Sequence, residues 1–131
     1  MFTSTGVIKY DPPRPGMKKR THWWAIVKID KEITRYYRWW VKNRFHVDLY
    51  QPSWDAHISI IRGEKPADDK RYLWKKYDGR KVEFKYSHVV QQAKKPEFWL
   101  VEVECDLLKQ IRKEFEFPTN WKFHITIGRT W

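Results

Sequence analysis

The chain has 131 residues, enough for one domain around a single core, and a formal net charge of +11 from 27 Lys and Arg against 16 Asp and Glu. It contains no long apolar run and no charged-then-apolar start, so neither a transmembrane helix nor a secretory leader is expected. Cys105 stands alone, which excludes a disulfide framework and a cysteine metal cluster and suits a soluble chain in a reducing compartment.

Residues 1–21 hold Gly6, Pro12, Pro13, Pro15 and Gly16, then Lys18, Lys19 and Arg20. Proline at this density resists regular structure, so the segment reads as an extended basic arm. Trp23 to Ile29 (WWAIVKI) reads as a strand. Asp30 can then N-cap a helix, with helix-favouring spacing through DKEITRYYRWWVKNRF. After Pro52 a second strand covers about 55–61, and 62–70 reads as a loop. A short helix is predicted through RYLWKKY and ends at Asp78-Gly79. Alternation in Arg80 to Val90 predicts a strand. Lys94-Lys95-Pro96-Glu97 makes a turn. Phe98 to Cys105 (FWLVEVEC) is a strand, Asp106 caps the helix DLLKQIRKEF, and a last strand closes the chain.

One phrase occurs twice. Residues 54–62 read W-D-A-H-I-S-I-I-R, and residues 121–129 read W-K-F-H-I-T-I-G-R. On a strand, residues two apart share a face. His57 and Ser59 therefore point one way and Ile58 and Ile60 the other. His124 and Thr126 stand likewise against Ile125 and Ile127. Trp54 and Trp121, three residues before each His, face away and read as core. The repeat is longer than the phrase: strand, Asp-capped helix, proline turn and His strand follow in that order twice. Two such units predict an α+β fold of two pseudo-symmetric strand–helix–strand lobes, about 22–62 and 80–131 of a single 1–131 domain. The two His strands would be central and antiparallel or adjacent. Helices would cover one face of the antiparallel sheets and leave a concave cleft on the other.

Two matched imidazoles, each with a hydroxyl two residues on, supply two proton-transfer groups and two neutral donors around one small anion. A lone strand His is usually structural, and a duplicated fold could carry two such residues for packing alone. The paired hydroxyls argue for chemistry. Hydroxyls are weak zinc ligands and no H-E-x-x-H or C-x-x-C spacing exists, so no metal and no cofactor are expected. Ser59 is on no G-x-S-x-G turn, so a Ser nucleophile is disfavoured. Arg62 and Arg129 follow each His by five residues. That odd offset turns them away on an ideal strand, yet beyond a strand end they could reach a phosphate. Aromatics make up 18% of the chain, nine of them Trp, which with the positive charge suits phosphates and flat rings. Tyr10, Trp74 and Tyr86, with Trp23, Trp24 and Trp99, are candidates to stack bases. His22, His46 and His88 lack the repeated context and read as structural or exposed.

The two H-φ-[S/T]-φ phrases resemble those of the two-histidine (2H) phosphoesterase superfamily over about residues 22–130. Ser59 stands where many members carry Thr. Within that superfamily the chain is similar to the phage anti-CBASS phosphodiesterases. The stretches that carry this are GVIKYDPPRPGMKK, the WWAIVKIDKEITRYYRW block and PSWDAHISIIRGEKP. The resemblance implies a metal-independent enzyme that cleaves 3′–5′ bonds of cyclic di- and trinucleotide messengers such as 3′,3′-cGAMP. His57, Ser59, His124 and Thr126 would be its catalytic set. It further implies the cytoplasm of an infected bacterium as the location, no membrane and no obligate protein partner. An RNA 2′,3′-cyclic phosphodiesterase of the same superfamily is the nearest alternative. A non-catalytic nucleotide- or RNA-binding sponge is another.

Overall fold

The computed structural model describes residues 1–13, 22–51, 56–94 and 97–130. Strand β1 spans Phe2–Tyr10, β2 Trp24–Lys28, β3 His57–Arg62, β4 Lys81–Tyr86, β5 Gln91–Gln92, β6 Phe98–Glu104 and β7 Phe123–Arg129. Helix α1 spans Lys31–Phe45, α2 spans Asp106–Glu114, and a short 3-10 helix runs Asp68–Leu73. The strands form one antiparallel sheet in the order β4-β1-β2-β3-β7-β6-β5, and a further β4–β6 pairing closes it. No described helix is long and apolar enough to cross a membrane.

The class is α+β, with the two His strands adjacent, antiparallel and central. Period-2 alternation explains the faces. Val27, Ile58, Ile125 and Val101 occupy one row across four strands, and each is fully buried. They join one apolar cluster with Tyr37 of α1 and with Leu108 and Ile111 of α2. The helices therefore pack on the isoleucine face. Burying one such side chain contributes about 1.5–3 kcal/mol. A one-residue slip would expose the whole row, so the register is firmly set. The opposite face carries His57, Ser59, His124 and Thr126, all half-buried.

Several local expectations change. The first nine residues after Met1 are a strand rather than an arm: β1 pairs with β2 on one side and β4 on the other. Its alternating Gly6, Ile8 and Tyr10 are buried, which outweighs the prolines that follow. Pro15, Gly16, Lys18, Lys19 and Arg20 lie outside the described residues, as do Pro52, Trp54, Lys95 and Pro96. The helix expected through RYLWKKY is a 3-10 turn that starts earlier and ends at Leu73. Asp30 does cap α1, its carboxylate accepting from the Glu32 N–H at 2.9 Å. Asp106, by contrast, is the first residue of α2, and the cap position falls on Cys105 with no side-chain cap bond. An acid in a helix's first turn still meets the positive end of its dipole. His46 closes α1 in a left-handed conformation, φ 59°, its N–H donating to the Lys42 carbonyl.

Candidate active site

The site is built by the β3–β7 pairing. Ile58 lies opposite Ile125 in an antiparallel ladder. One step to either side, His57 faces Thr126 and Ser59 faces His124, on the side opposite the isoleucines. His57 and His124 are then diagonal neighbours, a placement that sets residues about 7–8 Å apart and their Cβ atoms somewhat closer. Two imidazoles on such a diagonal can reach the same small group, with the two hydroxyls on the other diagonal. The flanking strands continue the row: Lys28 pairs with His57, and Glu102 pairs with His124.

The two imidazoles differ in surroundings. His57 packs edge-on against Trp24, ring centroids 5.4 Å apart and planes at 88°. Trp24 is nearly fully buried on this face. Burial holds His124 below the ordinary imidazole range. A hydrogen bond to the Lys122 backbone carbonyl opposes that shift, and the Arg62 guanidinium adds to it. That bond uses one ring N–H of His124 and so leaves the other nitrogen for a ligand.

Arg62 and Arg129 come to the histidine face after all, for the same reason in both copies. In the β2–β3 ladder Ile26 pairs with Ser59 but Ala25 pairs with Ile61, so Ile60 is an extra residue. In the β6–β7 ladder Leu100 pairs with Thr126 but Trp99 pairs with Gly128, so Ile127 is extra. Each β-bulge falls three residues past its histidine. A bulge shifts the alternation by one residue. Arg62 consequently pairs with Trp24 and Arg129 with Phe98, both in phase with the histidine row.

The aromatic candidates divide. Tyr10 is in phase with Ile8 and buried, and burial, the leading cause, pushes its phenol up to about 12, which places it in the core and not among the histidines. Trp74 packs edge-on against Tyr10, Trp23 and Phe115, its indole Nε1 donating to Asp11 at 2.8 Å. Tyr86 is in phase with Phe84 on the helix side, where it contacts Phe2 and Tyr37. It lines a groove of about 560 Å³ there with Phe2, Trp40 and His88. The strand phase keeps Tyr10 and Tyr86 off the histidine face, and Trp74 lies outside the strands, at the end of the 3-10 helix. Trp121 is partly buried against the core, as expected, beneath the Arg112 guanidinium at 4.5 Å. His22 and His88 are exposed.

Sequence reasoning passed over Lys28 and Glu102. Glu102 was legible, since FWLVEVEC alternates and only its phase against the His strand was missing, while β2 is apolar on both faces and Lys28 stands out only as its polar end. Among the described residues no group of three or more His, Cys, Asp or Glu is placed to hold a metal ion. Comparison with family models, with curated proteins and with solved structures returned no match.

Proposed function

We propose that the protein is a phosphodiesterase that cleaves 3′–5′ bonds of cyclic di- and trinucleotides by proton transfer between two histidines. The observation that carries the reading is the pairing of Ile58 with Ile125, which sets two duplicated His/hydroxyl pairs side by side on one face. The resemblance to 2H enzymes in two lobes around a cleft supplies the substrate class, and the residues supply the chemistry. A donor set of two imidazoles and two hydroxyls suits proton transfer better than metal binding.

His124 is the base in this reading. Its environment favours the neutral ring. It takes the proton of a ribose 2′-hydroxyl, whose oxygen attacks the adjacent phosphorus. The bond from phosphorus to the 5′-oxygen breaks, and protonated His57 gives its proton to that oxygen. Ser59 and Thr126 donate to the non-bridging oxygens, where charge gathers. The product is a linear nucleotide ending in a 2′,3′-cyclic phosphate. One positioned acid or base contributes about 10²–10⁴-fold. An oxyanion donor contributes about 10²–10³-fold. In an infected bacterium this reaction would silence antiviral signalling by cyclic nucleotides.

The test is to incubate the protein with 3′,3′-cGAMP in chelator and resolve the products. A linear 2′,3′-cyclic phosphate product supports the reading. Normal cleavage of the analogue that lacks the attacking 2′-hydroxyl contradicts it, as does turnover only after metal is added. Action on linear RNA 2′,3′-cyclic ends alone would select the RNA-processing alternative. Tight binding without turnover, unchanged by His57→Ala, would select a sponge.

A further inference from the structure

The two bulges that re-aim Arg62 and Arg129 each leave a backbone carbonyl outside the ladder, and each carbonyl has the same kind of partner. Arg112 of α2 donates to the Ile60 carbonyl at 2.9 Å. Arg38 of α1 donates to the Ile127 carbonyl at 3.0 Å. Ile60 and Ile127 are the extra residues themselves. The arrangement crosses the two copies: the helix of the first reaches the His strand of the second, and the helix of the second reaches the His strand of the first. A buried carbonyl without a partner costs about 1–3 kcal/mol, so a bulge is retained where a donor meets it.

Each arginine is itself held. Arg112 is 1% exposed, forms a two-pronged pair with Glu64 at 2.7 and 2.8 Å, and donates from Nε to the Pro118 carbonyl. Arg38 crosses the second His strand at Gly128. A Cβ there would lie 3.2 Å from Arg38 Cδ and 2.8 Å from the Tyr50 carbonyl oxygen. Gly128 therefore replaces the isoleucine that the first copy carries at Ile61, and makes room for the arginine and for the Tyr50 backbone pair.

We propose that Arg38 and Arg112 are positioning residues: by filling the carbonyl of the bulged residue, each fixes the strand so that Arg129 or Arg62 lies on the histidine face as a phosphate anchor. The proposal rests on the phosphodiesterase reading and extends it to the substrate. Counted on the partner strands, where Val27 to Trp24 and Val101 to Phe98 are three residues each, Arg62 and Arg129 sit about 10 Å from the Ile58–Ile125 pair, in opposite directions, at about 3.3 Å per residue. They flank the row and do not share one anion. The matching ligand carries a phosphate on each side of the scissile one, as a cyclic trinucleotide does, whereas a cyclic dinucleotide offers only one further phosphate. Guanidinium groups bind such phosphates through two parallel N–H donors.

Arg38→Gln is the test variant, because Arg38 is only half-buried and tied to no carboxylate pair among the described contacts. Two readings are taken: side-chain Nε–H and backbone amide spectra of the isotope-labelled protein, and kcat/KM on a 3′,3′-linked cyclic trinucleotide. Arg38→Gln is expected to keep a cooperative melt, to move the Arg129 Nε–H and Gly128 amide signals, and to leave those of Arg62 in place. Loss of kcat/KM of about 10–100-fold is expected, as for other small misplacements. Arg129→Ala added to Arg38→Gln should then cost little more, while Arg62→Ala should keep its full effect. Arg38→Lys, which still offers a donor, should restore part of the loss. Unmoved Arg129 signals, or equal added losses for Arg129→Ala and Arg62→Ala, would overturn the proposal. If the unaltered protein cleaves no cyclic nucleotide, the functional reading fails, while the spectra still decide whether Arg38 positions Arg129.

Discussion

His57 and His124 occupy equivalent places in a duplicated phrase, yet their surroundings are unequal. Burial, helped by Arg62, holds His124 below the usual imidazole value of about 6.5. A base must be unprotonated to act, so activity rises with pH through the pKa of the base. If His124 is that base, the acid limb of kcat/KM lies below about 6.5. An acid limb at or above that value would reverse the two roles. The same shift enters stability. A depressed pKa means that the fold gains from neutral His124 above the unfolded value and loses that gain as pH falls through the folded one. Thermal melting followed between neutral pH and pH 5 should therefore show a decline that His124→Gln reduces.

At the scale of the elements, β2, β3, β4, β6, β7 and both α-helices were legible from their apolar patterns, and the limits fell where a partner strand or helix decides. Alternation alone turned Arg62 and Arg129 away from their histidines. The bulges that reverse this arise from pairing with β2 and β6, which one strand's residues do not encode. β1 was hidden by its neighbours: Pro12 and Pro13 suggested an arm, although Gly6, Ile8 and Tyr10 follow a strand's period. The phase of their strands puts Tyr10 and Tyr86 on the core side of the sheet and not on the histidine face. The ion pairs of the helices also rank clearly. Arg112 and Glu64 are 1% and 26% exposed, while Lys76 and Glu114 are 47% and 22% exposed. Removing one partner of a buried pair costs about 3–5 kcal/mol. An exposed pair contributes about 0–1 kcal/mol. Urea unfolding should accordingly show a cost in the first range for Arg112→Met and a much smaller one for Lys76→Met. Equal costs would show that Arg112 does not anchor the β3 bulge.

For the molecule as a whole, duplication puts the two His strands together, but closure of the sheet depends on β4 meeting β6, a pairing that no local pattern announces. A closed sheet with both helices on one side leaves the charged and polar row of Lys28, His57, Ser59, Thr126, His124 and Glu102 on the other. The net charge of +11 favours polyanionic ligands in general and so discriminates poorly between a messenger and RNA. On the proposed reading, Arg62 and Arg129 would hold the phosphates on either side of the scissile one. The most direct measurement is a crystal structure with a cyclic dinucleotide that lacks the attacking 2′-hydroxyl. One phosphate should lie between the rings, within hydrogen-bond reach of an imidazole nitrogen of both His57 and His124. A phosphate held by one ring alone, or a ligand seated on the helix side against Tyr86, would contradict the account.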